Sequence, residues 1–300
     1  MDEIAKTVID PQTNVSLFDR RKTHRLVNTT NTDARKKIMN EKEMKLGAMG
    51  SGSDYSSFIQ HAGIPSLNLG FGGEGSGGEY HSIYDSYHDF ITFKDPGFKY
   101  EVALAQTAGR AVLRMANADV LPFDFTHLYN TINGYADELT KLLNDSRESA
   151  IIENKLIQAG DYKVGEDPVK KLIAPVEKPV APYLDFSPLQ NALVELRKST
   201  DSLKIVFQNK IKNNSVSTAF NQALYQAEQQ LLNENGLPRR TWYKHTIYAP
   251  GFYTGYGVKT MPGIREAIEQ REWKEAQEQI VVDAKSILQL ADYLQQAELK

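Results

Sequence analysis

The 300-residue sequence contains no cysteine. That absence excludes disulfides, thiolate nucleophiles and cysteine-held metals together, so any metal would have to be bound by histidine and carboxylate. It is compatible with an oxidising compartment without requiring one. No apolar run approaches the ~20 residues of a membrane-spanning helix. The opening MDEIAKTVIDPQ is acidic and amphipathic and lacks a signal-peptide pattern. Neither sign of charge dominates. With 35 basic and 38 acidic side chains the net charge is −3, which gives no reason to expect nucleic acid or a membrane surface as a partner. Phosphate loops are missing too: there is no GK(S/T), and no helix opens after Gly73-Glu74-Gly75-Ser76-Gly77-Gly78.

What is present is enough for two domains. Hydrophobic residues make up 41% of the chain, so each domain can bury a core. Residues 1–9 and 15–27 read as helices separated at Asp10-Pro11, where proline disfavours helix at the preceding residue; Asn14 or Ser16 can cap the second. Residues 28–40 are polar and read as a surface loop, and 44–48 as a short strand. A helix is expected from Asp54 to Ala62, with Ser53 as N-cap and Gly63 just past its end. Ile64–Phe71 reads as a strand, and five glycines between Gly72 and Gly78 then preclude regular structure. Asp95-Pro96 opens a helix to about Ala118. This order is that of the trailing part of an α/β sandwich.

After Leu121-Pro122 the pattern becomes an all-α bundle. Leu128, Ile132, Tyr135, Leu139 and Leu142 form one stripe, and a proline-rich connection runs from Pro168 to Pro188. A second helix carries Leu189, Leu193, Leu196, Leu203 and Phe207, and a third Phe220, Leu224, Ala227 and Leu231. The last, from about Arg271 to Leu294, carries Ile280, Ile287 and Leu294. Such stripes pack against other helices. The expected domains are therefore 1–124 (α/β) and 125–300 (all-α), with the last helix, which carries Ile280, Ile287 and Leu294 along one side, as the preferred contributor to a contact with a twin subunit; which of its stripes faces inward stays open.

The chemistry concentrates between Gly50 and Asp85. His81 stands in a loop with Asp85 four residues on. A metal site needs such a pair, since one ring nitrogen binds the ion and an acceptor orients the other. Asp85 is open to two readings, orienting His81 or capping the next turn. His24, His61, His88, His127 and His245 read as surface or interface groups.

In order and spacing, Ser53-Asp54-Tyr55-Ser56-Ser57-Phe58, Gly63-Ile64-Pro65 and Tyr80-His81-Ser82 with Asp85 resemble the end of the catalytic domain in co-catalytic di-zinc exopeptidases. That group includes bacterial aminopeptidases and glutamate carboxypeptidases. Leu121-Pro122-Phe123-Asp124, Gly236-Leu237-Pro238, Tyr248-Ala249-Pro250 and Pro262-Gly263-Ile264 resemble the helical dimerisation domain shared by glutamate carboxypeptidases and the transferrin receptor.

The resemblance implies that His81 is the last zinc ligand of a two-zinc site and that Tyr80 points into that site. There it stabilises an oxyanion, unless it is simply a packed aromatic. It implies that Asp54 and Asp85 support the site, and that Gly52, Ser53 and Tyr256 line a pocket for a peptide or dipeptide. Asp54 reads equally well as a first-turn carboxylate favoured by the helix dipole. The lysine that binds a substrate carboxylate in glutamate carboxypeptidases falls on Gly255, and their arginine pair on Asn68 and Gly70, which argues against glutamate specificity. The other metal ligands and the base glutamate are not found in residues 1–49, where His24 sits in a basic run. The expectation is thus the C-terminal portion of a zinc-dependent exopeptidase, homodimeric, inactive as this chain alone, and secreted or periplasmic in its complete form. The alternatives are a non-enzymatic module of transferrin-receptor type, whose fold lacks the metal site, and a truncated product that folds poorly.

Overall fold

The corner at Asp10-Pro11 sets the first helices. In the computed structural model, which describes residues 1–44, 46–73, 75 and 78–300, α1 (Asp2–Thr7) ends just before it and α2 (Leu17–Asn28) begins just after it. The Asp10 carboxylate accepts from the amides of Gln12 and Thr13 and from the Thr13 hydroxyl, closing the turn. Ser16 caps α2 by accepting from the Asp19 amide. Residues 28–40 do not form the expected loop. They fold into α3 (Thr32–Asn40), capped by the Asn31 side chain at the Ala34 amide. One buried residue, Ile38, anchors this otherwise solvated helix, so a stripe-based reading misses it.

The described residues divide into two compact units. The first comprises Met1–Gly47 and Leu67–Pro122, the second Ala48–Ser66 and Phe123–Lys300. In the first unit, α1 packs on α4 (Lys99–Ala116) through Ile4, Val8 and Ala103. Arg114 pairs with Glu3 at 2.6 Å, and Arg110 donates to the Thr7 carbonyl at 2.7 Å. The Asp95 carboxylate holds the Tyr100 and Glu101 amides at the start of α4, so Asp95-Pro96 marks this helix from just outside it.

Among the described residues of 44–48 and 64–71 the expected strands are not formed. Positions 45, 74, 76 and 77, within the first strand and the glycine loop, lie outside the described residues. Residues 64–71 are extended with Ile64, Leu67 and Phe71 about half exposed, and they pair with no strand among the described residues. A strand has no internal hydrogen bonds and exists only through its neighbours. The molecule is accordingly mostly helical.

The second unit is the helical one. Asp124 caps α5 (Phe125–Ala159), accepting from the Thr126 and His127 amides. The proline-rich connection is extended and tied back to α5, where Arg147 donates to the Ala181 and Pro182 carbonyls and stacks on Tyr183. Next comes α6 (Ser187–Lys212), with Pro188 in the tolerated first turn. It is followed by α7 (Thr218–Gln226) and a 3₁₀ turn, Ala227–Leu231. The antiparallel strands β1 (Tyr248–Pro250) and β2 (Val258–Thr260) precede α8 (Pro262–Glu269) and α9 (Trp273–Glu298). Gln277 meets Asp185 near the starts of α6 and α9, and Gln295 meets Ser199 further along, so the two helices run parallel.

Ile280, Ile287 and Leu294 are all 0% exposed within this single chain. They fill the chain's own core, so this stripe of the last helix is the inward one and is not free to meet a twin subunit. The outward row of α9 instead carries Val281 and Leu288, 53% and 39% exposed. No described helix is long and apolar enough to cross a membrane.

Candidate functional site

In the second unit, the segment Ala48–Ser66 brings the glycine turn onto the β1–β2 hairpin. The Ser51 amide donates to the Tyr256 carbonyl at 3.0 Å, and the Tyr55 hydroxyl donates to the Ser51 carbonyl at 3.1 Å. Gly52 has φ +98° and lies over the Tyr256 ring, so that a Cβ there would sit 2.9 Å from Cγ. Only glycine combines that backbone angle with so close an approach. Gly52 and Tyr256, far apart in sequence, are therefore neighbours, and Tyr256 stays 68% exposed. Ser53 is exposed beside them, its carbonyl accepting from the Ser56 amide at 3.1 Å. Asp54 is exposed on the next position, with its carbonyl accepting from Ser57.

The expected helix 54–62 is short and ends in a π-helical turn, Ser57–His61. This wider turn places Gln60 and His61 side by side toward the 242–245 loop. His61 stacks on Trp242 with 5.0 Å between ring centroids, and its Nδ1 lies 2.7 Å from the Trp242 carbonyl. Gln60 is fully buried.

The first unit carries the histidine loop. His81 takes a left-handed conformation, φ +61°, and stacks against Tyr80 at 3.8 Å; both rings are exposed to solvent. Asp85 is engaged by Lys94, whose Nζ lies 2.7 Å from Glu79, 3.0 Å from Asp85 and 3.5 Å from Asp89. Hydrogen bonds to Glu79 and then Asp85 raise the Lys94 pKa above its ordinary value, and the Lys94 bond correspondingly lowers that of Glu79. Here Asp85 anchors a lysine.

Two buried polar clusters escaped the sequence reading. His245, expected at a surface or interface, is 0% exposed. Its Nδ1 accepts from the Ile247 amide at 3.2 Å, so Nε2 carries the hydrogen facing Glu228 at 3.0 Å. The Tyr248 hydroxyl donates to the same carboxylate oxygen, and its ring stacks on His245. Burial pushes the Glu228 carboxyl up, but the His245 and Tyr248 interactions outweigh it and hold the pKa below the usual range. In the second cluster Arg240 pairs with Glu266 at 2.6 Å, and Glu266 also accepts from the Phe252 amide, holding the hairpin loop. Neither cluster has a local motif, because its members come together only through the turns between residues 228 and 266.

Residues 184–295 match the transferrin receptor-like dimerisation domain. The chain is 32% identical over 231 residues to a probable glutamate carboxypeptidase of Arthroderma benhamiae, covering 75% of this chain and 27% of the relative. It is 26% identical over 253 residues to the rat aminopeptidase NAALADL1, with 79% of this chain and 29% of that protein covered. To an inactive zinc metalloprotease of Schizosaccharomyces pombe it is 24% identical over 237 residues, covering 76% and 26%. The chain belongs to the glutamate carboxypeptidase and transferrin receptor-like family. It matches the family's C-terminal portion and spans a little over a quarter of the length of these relatives.

Zinc is the metal that the family's names imply, and the residues present do not by themselves fit it. Among the described residues no three His, Cys, Asp or Glu side chains are grouped to hold an ion. His81 offers one imidazole where a catalytic zinc takes about three protein ligands, and the carboxylates of its loop are turned to Lys94.

Proposed function

We propose that this chain serves as the dimer-forming, pocket-lining C-terminal part of a zinc-dependent exopeptidase of the glutamate carboxypeptidase type. The observation that supports the reading best is the glycine turn laid against Tyr256, which presents the exposed Gly52 and a phenol together. Such a shelf can take part of a peptide, with Gly52, Ser53 and Tyr256 as contacts. In this reading His81 supplies one zinc ligand and Tyr80 a hydroxyl for a developing oxyanion. Asp54 and Asp85 are then the site's supporting carboxylates. In this reading the remaining ligands of two zinc ions, the general base and the strands that would pair with 64–71 belong to other sequence. A secreted or periplasmic setting goes with this reading.

The two-fold partner is a second copy of the same chain, joined through residues 125–300. A second reading, a non-enzymatic dimerisation module, is favoured by the lack of a metal-holding group among the described residues and by the relative named inactive. Zinc content and dipeptide hydrolysis of the longer gene product decide between them. The peptidase reading expects bound zinc, turnover, and loss of nearly all turnover in His81→Ala. Zinc-free protein, or full activity in His81→Ala without added zinc, overturns it.

A further inference from the structure

We propose that Gln60 is the positioning residue of the glycine shelf: its side-chain amide sets the Met49–Gly52 backbone against Tyr256 and so fixes the surface that a peptide would meet. The proposal rests on the reading of Gly52, Ser53 and Tyr256 as substrate contacts.

Gln60 is 0% exposed, rare for a residue of its polarity, and its hydrogen bonds show what it does there. Nε2 donates to the Met49 carbonyl at 3.0 Å and also to the Gly50 carbonyl. Both amide hydrogens are thus spent on two successive peptide groups at the start of the glycine turn. The side-chain oxygen has no hydrogen-bond partner among the described residues. A buried amide with an unmade acceptor costs free energy, so the donors account for glutamine at this position. An apolar side chain would fill the space without clamping the turn.

The backbone of Gln60 supplies the other half of the clamp. Its carbonyl, left free at the end of the π-helical turn, accepts from the amides of Lys244 at 2.8 Å and His245 at 3.1 Å. One residue therefore ties the glycine turn to the chain that leads into β1. From there the hairpin carries the connection to Tyr256, whose carbonyl takes the Ser51 amide. A π-helical turn is a costly local structure that tends to persist where function needs its geometry, and here it brings Gln60 to this position.

The test is amide hydrogen exchange on the full 300-residue chain, with the Ser51 amide as reporter and the Ile287 and Leu290 amides of α9 as internal references. Gln60→Leu is expected to speed Ser51 exchange roughly 10- to 100-fold, the equivalent of one or two lost hydrogen bonds, while α9 stays as protected as in the wild type. Unchanged Ser51 protection in a folded Gln60→Leu chain overturns the proposal. If that variant does not fold, Gln60→Glu decides. Its neutral carboxyl can donate one hydrogen bond and its carboxylate none, so after correction for intrinsic exchange the turn should loosen as pH rises; pH-independent protection overturns the proposal.

A parallel titration with alanyl-phenylalanine, followed at the Gly52 amide, separates the positioning claim from the site reading. Shifts in the wild type that weaken in Gln60→Leu support both. A loosened turn with no wild-type shifts supports positioning and removes the substrate reading. A turn that does not loosen removes the positioning role whatever the dipeptide does.

Discussion

Asp283 is an acid buried in the core of the helical unit. It is 0% exposed on α9, and neither carboxylate oxygen has a hydrogen-bond partner among the described residues. Burial alone drives its pKa well above the ordinary carboxylate value. Asp283→Ala should therefore stabilise the protein. Removing an unsatisfied buried polar group is worth roughly 1–3 kcal/mol, and alanine adds up to about 0.7 kcal/mol of helix propensity. The small void left behind subtracts part of that. A net gain of about 1–3 kcal/mol corresponds to ~2–5 °C in Tm for a chain of this size.

The pH dependence tests the cause. Because the folded pKa is raised, the unfolded chain ionises first, and stability is lost as pH climbs from the unfolded value near ~3.9 toward the folded one. The advantage of Asp283→Ala should thus be smaller at pH 4 than at pH 7. Asp283→Asn, neutral at both, should recover only the pH-dependent part. Thermal unfolding followed by circular dichroism at pH 4, 5.5 and 7 reads all of this. A destabilised Asp283→Ala, or a gain that does not change with pH, refutes the reasoning.

The remaining predictions concern the site and the interface. Glu228 has a lowered folded pKa, so its stabilising contribution is present above the unfolded value near ~4.3 and is lost as pH falls through the folded one. Glu228→Gln should cost about 1–3 kcal/mol at pH 7 in denaturant titrations and less as the pH is lowered below the unfolded value. Gly52→Ala forces a Cβ into the Tyr256 ring at positive φ and should cost roughly 1–3 kcal/mol, seen as faster exchange at Ser51; wild-type protection there contradicts the packing. For the dimer, Leu288→Glu should shift light scattering from dimer to monomer without unfolding, whereas Ile287→Glu should unfold the helical unit. A folded, monomeric Ile287→Glu would reverse that assignment. A chelator should leave the Tm of the 300-residue chain unchanged, and the chain should hydrolyse no dipeptide even with added zinc. A Tm drop on chelation, or turnover, would show a complete metal site.

What could be read from the sequence was local or periodic. Ser16 announces a helix start because a short side-chain acceptor next to the first turn satisfies its free amides whatever the rest of the chain does. The stripes Leu189-Leu193-Leu196 and Phe220-Leu224-Ala227-Leu231 became buried faces because 3.6-residue periodicity alone puts them on one side. Gly52 and Tyr256 were matched to one pocket by resemblance, and the fold does make them neighbours.

Tertiary structure decided the rest, for reasons a linear pattern cannot contain. Ile64–Phe71 has the composition of a strand, but a strand needs a partner's amides and carbonyls, and none of the described residues provides them. Ile280, Ile287 and Leu294 form an apolar stripe in either case; only the placement of α6 beside α9 turns that stripe inward and leaves Val281 and Leu288 outside. His245 read as a surface or interface group and Gln60 carried no signal, because hydrogen-bonded burial of a polar group depends on partners distant in sequence. Gln60 finds them at Met49, Gly50, Lys244 and His245, and His245 finds its own at Glu228.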